Sequence, residues 1–255
     1  MKIIGVIPAR MESSRFPGKP LALINGIPMI EHVLRRAELC RLLDEVLVAT
    51  CDREIANHVA GLGRRVVMTS ASHERCVDRV AEAVRHRPDA GVVVVIQGDE
   101  PMLRPEMIET ALEALIRDRS VLCVNLMAPV TSHEETTDPN VVKVVVNQEG
   151  LALYFSRAPI PYRHTDTGDG PVYFKQVCVM PFSREMLLTF SRLPPTPLER
   201  WESVDMLRAL EHGYRVRMVE TGWETWSVDT PGDLERVAAR MADDPLVRRY
   251  GGGGV

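Results

Sequence analysis

The sequence predicts an α/β protein of the doubly wound, Rossmann-like kind, carrying an inserted β-rich segment. Three observations lead there. Over the first 130 of its 255 residues, short β-rich runs alternate with helical patterns, the mark of a parallel sheet wrapped by helices. From about Ala128 to Arg192 the grain changes to polar turns, strands and prolines on both sides of Ile160. Beyond Arg192 the α/β alternation resumes. The expected division is therefore an α/β core over 1–127, an inserted β-rich segment over 128–192, a return to the core over 193–241, and a flexible tail over 242–255.

In chain order, the first half places strands at Ile3 to Ile7, Glu45 to Thr50, Arg65 to Met68, Val92 to Gln97 and Val121 to Leu126. Between them, Met29 to Leu39, Arg53 to Leu62, Asp78 to Val84 and Glu106 to Arg117 space their apolar residues as helices do. The inserted segment reads as turns at Ser132 to Thr137 and Thr165 to Gly170, with strands at Val141 to Val146 and Phe174 to Met180. A helix at Glu199 to Gly213 and a strand at Tyr214 to Val219 follow, and Thr230, with Pro231 behind it, suits the N-cap of a last helix.

Composition narrows the function classes. With 45% hydrophobic and 26% charged residues the chain is ordinary for a globular protein. A net charge of −4 argues against a nucleic-acid partner, because such proteins carry a basic surplus. The five cysteines are widely spaced without a CxxC pair, as free thiols of a cytoplasmic protein are. The N-terminus lacks the pattern of a signal peptide and no apolar run approaches a membrane span, so neither secretion nor a membrane partner is expected.

The chemistry concentrates where strands end. The run Ile3-Ile-Gly-Val-Ile7 leads into a loop holding Arg10, Arg15 and Lys19, the lysine on a stiff Pro-Gly-Lys-Pro turn. Two kinds of cation beside backbone amides suit a triphosphate, although a solvated turn reads the same way and no Walker A pattern is present. After Val92 to Ile96 come Gln97-Gly98-Asp99-Glu100-Pro101, where Asp99 either caps the turn or offers a hard oxygen to Mg²⁺. Asp229 likewise follows a short apolar run and precedes a helix, so the two acids could share one metal if their strands lie side by side.

Together these stretches resemble a known family. Ile7-Pro-Ala-Arg10, Arg15-Phe-Pro-Gly-Lys-Pro-Leu21, Gln97-Gly-Asp-Glu-Pro-Met102, Asn140-Val-Val-Lys-Val-Val145, Leu153-Tyr-Phe-Ser-Arg-Ala158, Pro197-Leu-Glu199 and Val228-Asp-Thr-Pro231 follow, in order, the motifs of the CMP-Kdo synthetases. These are the 3-deoxy-manno-octulosonate (Kdo) cytidylyltransferases of the nucleotide-diphospho-sugar transferase superfamily. The resemblance implies that an acceptor oxygen attacks the α-phosphorus of CTP, with pyrophosphate leaving. It implies that Arg10 and Lys19 hold the triphosphate, that Arg15 lies near it, and that Asp99 and Asp229 bind Mg²⁺. Gln97, Ser156, Arg157 and Glu199 fall on the substrate side, and a homodimer formed through the 128–192 segment is implied as well.

Two motifs depart from the family pattern. Where His-x-Ser-Gly-Thr-Asp/Glu-Arg is usual, this chain has His73-Glu-Arg-Cys-Val-Asp-Arg79, keeping His73, Asp78 and Arg79 but putting Arg75 in place of a small hydroxyl. In Phe174-Lys-Gln-Val-Cys-Val-Met180, Gln176 replaces a histidine that contacts the sugar. A site with more positive charge and fewer sugar partners points to a small anionic acceptor such as phosphonoformate, clamped by Arg75 and Arg157; the alternative is Kdo or another sugar acid.

Overall fold

A computed structural model describes residues 1–13, 15–118, 120–162, 164 and 173–250. The chain forms two compact units: Met1–Glu109 with the stretch from Thr225 onward, and Thr110–Glu224. Those breaks fall elsewhere than at the expected 127/128 and 192/193.

The first unit is built on a parallel sheet. Its elements are β1 (Lys2–Ala9), the short hairpin strands β2 (Leu23–Ile24) and β3 (Ile27–Pro28), α1 (Met29–Ala37), β4 (Glu45–Thr50), α2 (Arg53–Gly61), β5 (Arg65–Met68), α3 (Cys76–Val84), β6 (Ala90–Ile96) and α4 (Pro105–Arg117), along which the chain passes to the second unit. The strand order β6-β1-β4-β5 is parallel throughout. Helices cover both faces of such a sheet, which is why Ile4, Val6 and Ile7 of β1 and Val93 to Ile96 of β6 are continuous apolar runs, all buried. The chain winds outward from β1 to β4 and β5, then returns to β6 on the other side of β1. That reversal opens a crevice beyond the carboxyl ends of β1 and β6, where the loops carrying Arg10 to Lys19 and Gln97 to Glu100 emerge.

The second unit contains β7 (Val124–Pro129), α5 (His133–Thr137), β8 (Lys143–Val146), β9 (Ala152–Ser156), β10 (Phe174–Val177), β11 (Val179–Ser183), α6 (Arg184–Phe190), α7 (Pro197–Glu202), α8 (Asp205–Glu211) and β12 (Arg217–Glu220). Its sheet runs β12-β7-β10-β8-β9; β12 is parallel to β7 and the other pairings are antiparallel. Several expectations needed correction here. The stretch read as a polar turn at Ser132 to Thr137 holds one helical turn, capped by the Ser132 hydroxyl accepting from the Glu135 amide. β9 and α6 were not expected. The helix expected from Glu199 to Gly213 breaks at Ser203, whose left-handed φ of 55° ends α7 before α8 begins. The turn at Thr165 to Gly170 lies outside the described residues.

The chain re-enters the first unit through α9 (Pro231–Met241), where Thr230 and Asp233 form the expected capping box. The tail expected from 242 instead begins with α10 (Pro245–Tyr250), while the terminal glycine run lies outside the described residues. α10 is held by fully buried groups on α1. Arg36 pairs with Asp244 at 2.5 Å and donates to the Tyr250 hydroxyl at 3.0 Å. His32 spans Tyr250 Oη and the Ile24 carbonyl, both at 3.0 Å. Because a carbonyl only accepts, His32 carries its proton on Nε2 and receives the Tyr250 proton at Nδ1. Burial, with Arg36 and Arg35 nearby, lowers the His32 pKa against the opposing pull of the Ile24 carbonyl and Glu31. The folded protein thus binds this proton less readily than the unfolded chain, and stability falls as pH drops below about 6.5. Thermal melts at pH 7 and pH 5 should show a larger loss for the wild type than for His32→Gln; equal losses would contradict this reading.

Candidate active site

The loops beyond β1 and β6 converge on four charged side chains. Gly18, at φ +75°, occupies the left-handed region ahead of the short 3₁₀ turn Lys19–Leu21 and turns the chain so that Lys19 enters the crevice. Gly98 is close to β1: a Cβ there would meet the Pro8 carbonyl oxygen at 3.0 Å. The Val228 amide donates to the Asp99 carbonyl at 2.9 Å, bringing the Val228-Asp229 stretch alongside. Asp233 fixes that stretch by accepting from the amides of Asp229 at 3.1 Å and Thr230 at 2.8 Å. Beneath it, Ile24, Met29, Val228, Val237 and Met241 form a buried cluster with Phe16, Met102 and Trp226 packed against it. Arg240 lies over the Trp226 ring at 3.7 Å.

On this floor, Lys19 Nζ donates to Asp99 Oδ2 at 2.9 Å, to the Val228 carbonyl at 2.8 Å and to Asp229 Oδ1 at 3.4 Å. Arg15 Nη2 donates to the same Asp229 oxygen at 3.0 Å. Burial works against the Lys19 charge, but Asp99 and Asp229 outweigh it and raise its pKa above the ordinary lysine value. Two acids far apart in the chain, Asp99 and Asp229, are thus gathered on one cation. Among the described residues no group of three or more His, Cys, Asp or Glu forms a metal cage, so any metal here would draw further ligands from substrate or water.

A second feature of the same unit is a small open cleft of about 60 Å³ lined by Arg10, His73, Glu74, Arg75, Cys76 and Arg79 together with Pro8 and Ala9. Arg10 is exposed, while Arg79 is buried and holds the loop, donating to the Thr69 hydroxyl at 2.6 Å and to the carbonyls of Ser70 and His73 at 3.2 and 3.4 Å. His73 pairs with Glu82, which also accepts from the Ser70 amide at 3.1 Å. Cys76 opens α3 and donates to Gln97 Oε1 at 3.8 Å, while Asp78 sits half-buried in the first turn of α3.

The remaining expected site residues belong to the second unit. Ser156 Oγ donates to Glu202 at 2.9 Å, and the Arg157 amide donates to the same carboxylate at 2.8 Å. The Arg157 guanidinium donates to the carbonyls of Glu202 at 2.5 Å, Pro139 at 2.7 Å and Ser203 at 3.4 Å. Each of its three nitrogens thus has one backbone partner, and each Nη keeps a further N–H. Gln176 donates to Asn125 Oδ1 at 2.6 Å. Glu199 is fully buried in a bidentate pair with Arg208, at 2.6 and 2.8 Å, and accepts from the Thr196 amide at 3.3 Å. In this fold Glu199 is held as the buried ion-pair partner of Arg208, a structural arrangement beside the substrate role expected of it. Sequence reading missed Glu202, Asn125 and Glu82, which orient expected residues; the partners of Glu202 and Asn125 lie 46 and 51 positions away, while His73 lies nine positions from Glu82.

Among known proteins, the family described as Cytidylyltransferase matches residues 4–219. The 3-deoxy-manno-octulosonate cytidylyltransferase of Syntrophobacter fumaroxidans is 48% identical over 248 residues, 96% of this chain and 99% of that protein. The protein of the same name from Geobacter metallireducens is 45% identical over 251 residues, 95% of this chain and 98% of its own length. A solved structure of CMP:2-keto-3-deoxy-manno-octonic acid synthetase complexed with CTP superposes with a TM-score of 0.87 at 40% identity, covering 95% of this chain and 99% of that one. A cytidylyltransferase from Leptospira borgpetersenii, 15% identical with a TM-score of 0.64 over 94% of this chain and 87% of that one, shares the fold alone. These findings do not support the expected preference for phosphonoformate; the relatives carry the name of the alternative acceptor, 3-deoxy-manno-octulosonate. The chain belongs to the cytidylyltransferase family, as a relative of the 3-deoxy-manno-octulosonate cytidylyltransferases.

Proposed function

We propose that this chain transfers CMP from CTP to 3-deoxy-manno-octulosonate in a Mg²⁺-dependent reaction. The bond formed joins an acceptor oxygen to the α-phosphorus, the bond broken links the α- and β-phosphates, and pyrophosphate leaves. The observation that carries the reading is the convergence of Arg15, Lys19, Asp99 and Asp229 at the crevice. Asp99 Oδ2 and Asp229 Oδ1 both lie within 3.4 Å of one cationic nitrogen, so their hard oxygens fit a divalent cation shared with phosphates. Mg²⁺, when bound there, would supply charge neutralisation for the reacting phosphates. Arg10 and Lys19 would bind and orient the triphosphate, and Arg15 would add a planar donor beside it. No covalent intermediate on the chain is required.

The acceptor assignment is supported by relatives 41–48% identical that span nearly the whole chain. On this reading, Arg75 and Gln176 are substitutions that the sugar-acid site tolerates. A homodimer belongs to the proposal too, with Leu153 and Tyr162 of the second unit, 60% and 86% exposed, as apolar surface to be covered.

Pyrophosphate release from CTP and Mg²⁺, followed with Kdo and with phosphonoformate in parallel, tests the proposal. Release that depends on Kdo is expected; none with Kdo would overturn the acceptor assignment.

A further inference from the structure

The same nitrogen that gathers Asp99 and Asp229 stands where a metal shared by them would need to be. Lys19 has a side chain only 13% exposed, and its ammonium meets both carboxylates and the Val228 carbonyl. Arg15 reaches the Asp229 carboxylate as well. Two negative charges are thereby met by two positive ones with no nucleotide bound. A divalent cation entering it would find its ligands already occupied, and would sit against two like charges in a site partly shielded from water. A triphosphate changes the balance, since it offers Lys19 and Arg15 alternative anions. Lysine's flexible four-carbon stem allows the ammonium to swing while the 3₁₀ turn stays in place.

We infer that Lys19 is the built-in counter-ion of the Asp99–Asp229 pair, so that this chain takes up its divalent cation tightly only after a nucleoside triphosphate has drawn Lys19 away. The inference rests on the reading that these two carboxylates hold the metal, and goes beyond it by making metal affinity conditional on the nucleotide. Lys19 acquires two roles at different stages: it occupies the metal position in the free protein and binds phosphate in the loaded one. Its removal should therefore have opposite effects on two ligands.

The test is Mn²⁺ binding to the purified chain without nucleotide, read from the spin-resonance signal of free Mn²⁺. Wild type should bind weakly, Lys19→Met at least ten-fold more tightly, and Lys19→Arg, which keeps the charge, as weakly as wild type. Lys19→Met should at the same time bind CTP more weakly. No gain in Mn²⁺ affinity for a folded Lys19→Met would overturn the inference. Should that variant fail to fold, the Nζ resonance of Lys19 in the wild type decides. Millimolar Mg²⁺ alone should leave it unmoved and Mg²⁺ with CTP should shift it; a shift with Mg²⁺ alone would overturn the inference. Asp229→Asn separates the two levels. If nucleotide-dependent Mn²⁺ uptake survives that change, the metal-site reading falls and the inference with it. If uptake is lost while Lys19→Met gains nothing, only the inference about Lys19 falls.

Discussion

Asp229→Asn should lower the rate of cytidylyl transfer by about a thousand-fold, on the order expected when a principal stabiliser of transition-state charge is removed. The amide is nearly isosteric and still offers an oxygen to Arg15, so the loop before α9, fixed independently through Asp233, should keep its shape. What is lost is one of the two negative charges gathered at the crevice. Asp99→Asn should behave alike, since Asp99 supplies the other. The check is kcat from pyrophosphate release at saturating CTP, with a thermal melt beside it. A loss within ten-fold for either variant, in a protein that melts as the wild type does, would mean that the carboxylates do not serve the chemistry.

Glu199→Ala should cost stability, with the acceptor site affected only secondarily. Arg208 is 2% exposed, lies 4.6 Å over the Phe190 ring, and has both oxygens of Glu199 as its carboxylate partner. Removing Glu199 leaves a buried guanidinium without this carboxylate, at about 3–5 kcal/mol. For a chain of this size the melting temperature should fall by roughly 10 °C or more. The double replacement Glu199→Leu with Arg208→Met should recover much of the loss, because no unpaired charge then remains. If Glu199→Ala instead melts normally and raises only the KM for the acceptor, Glu199 is a substrate contact after all.

Much of the first unit was legible in the chain because parallel strands buried on both faces print themselves as unbroken apolar runs. The expected spans Glu45 to Thr50 and Arg65 to Met68 match β4 and β5 residue for residue, although β5 is an edge strand with Arg65 and Met68 exposed. The cap at Thr230 was legible for a similar reason, as a hydroxyl, a proline and an acid at fixed spacing leave few alternatives. The second unit was harder to read. β9 does not alternate: Leu153 is 60% exposed while Phe155, two positions on and on the same face, is buried, so the period that marks a half-buried strand is absent. The break between α7 and α8 depends on one left-handed serine, a conformation that composition does not announce.

At the site, residue types were readable and their partners were not. The spacing of Arg15 and Lys19 marked a charged loop, yet Asp229 lies more than two hundred positions away, and only the fold brings them together. The altered motif at Arg75 and Gln176 suggested a different acceptor. Substitutions at two positions weigh less than near-complete coverage by relatives of one name. Arg157 illustrates the difficulty: its residue type was readable, but the backbone carbonyls of Pro139, Glu202 and Ser203 that orient it were not.

The most direct test of the central claim is a ³¹P spectrum of the purified chain incubated with CTP, Mg²⁺ and 3-deoxy-manno-octulosonate. The account predicts that CTP is consumed only when the sugar acid is present, with one pyrophosphate appearing for each new CMP phosphodiester. CTP left intact in the presence of the sugar acid, or cleaved without a CMP-linked product, would contradict it.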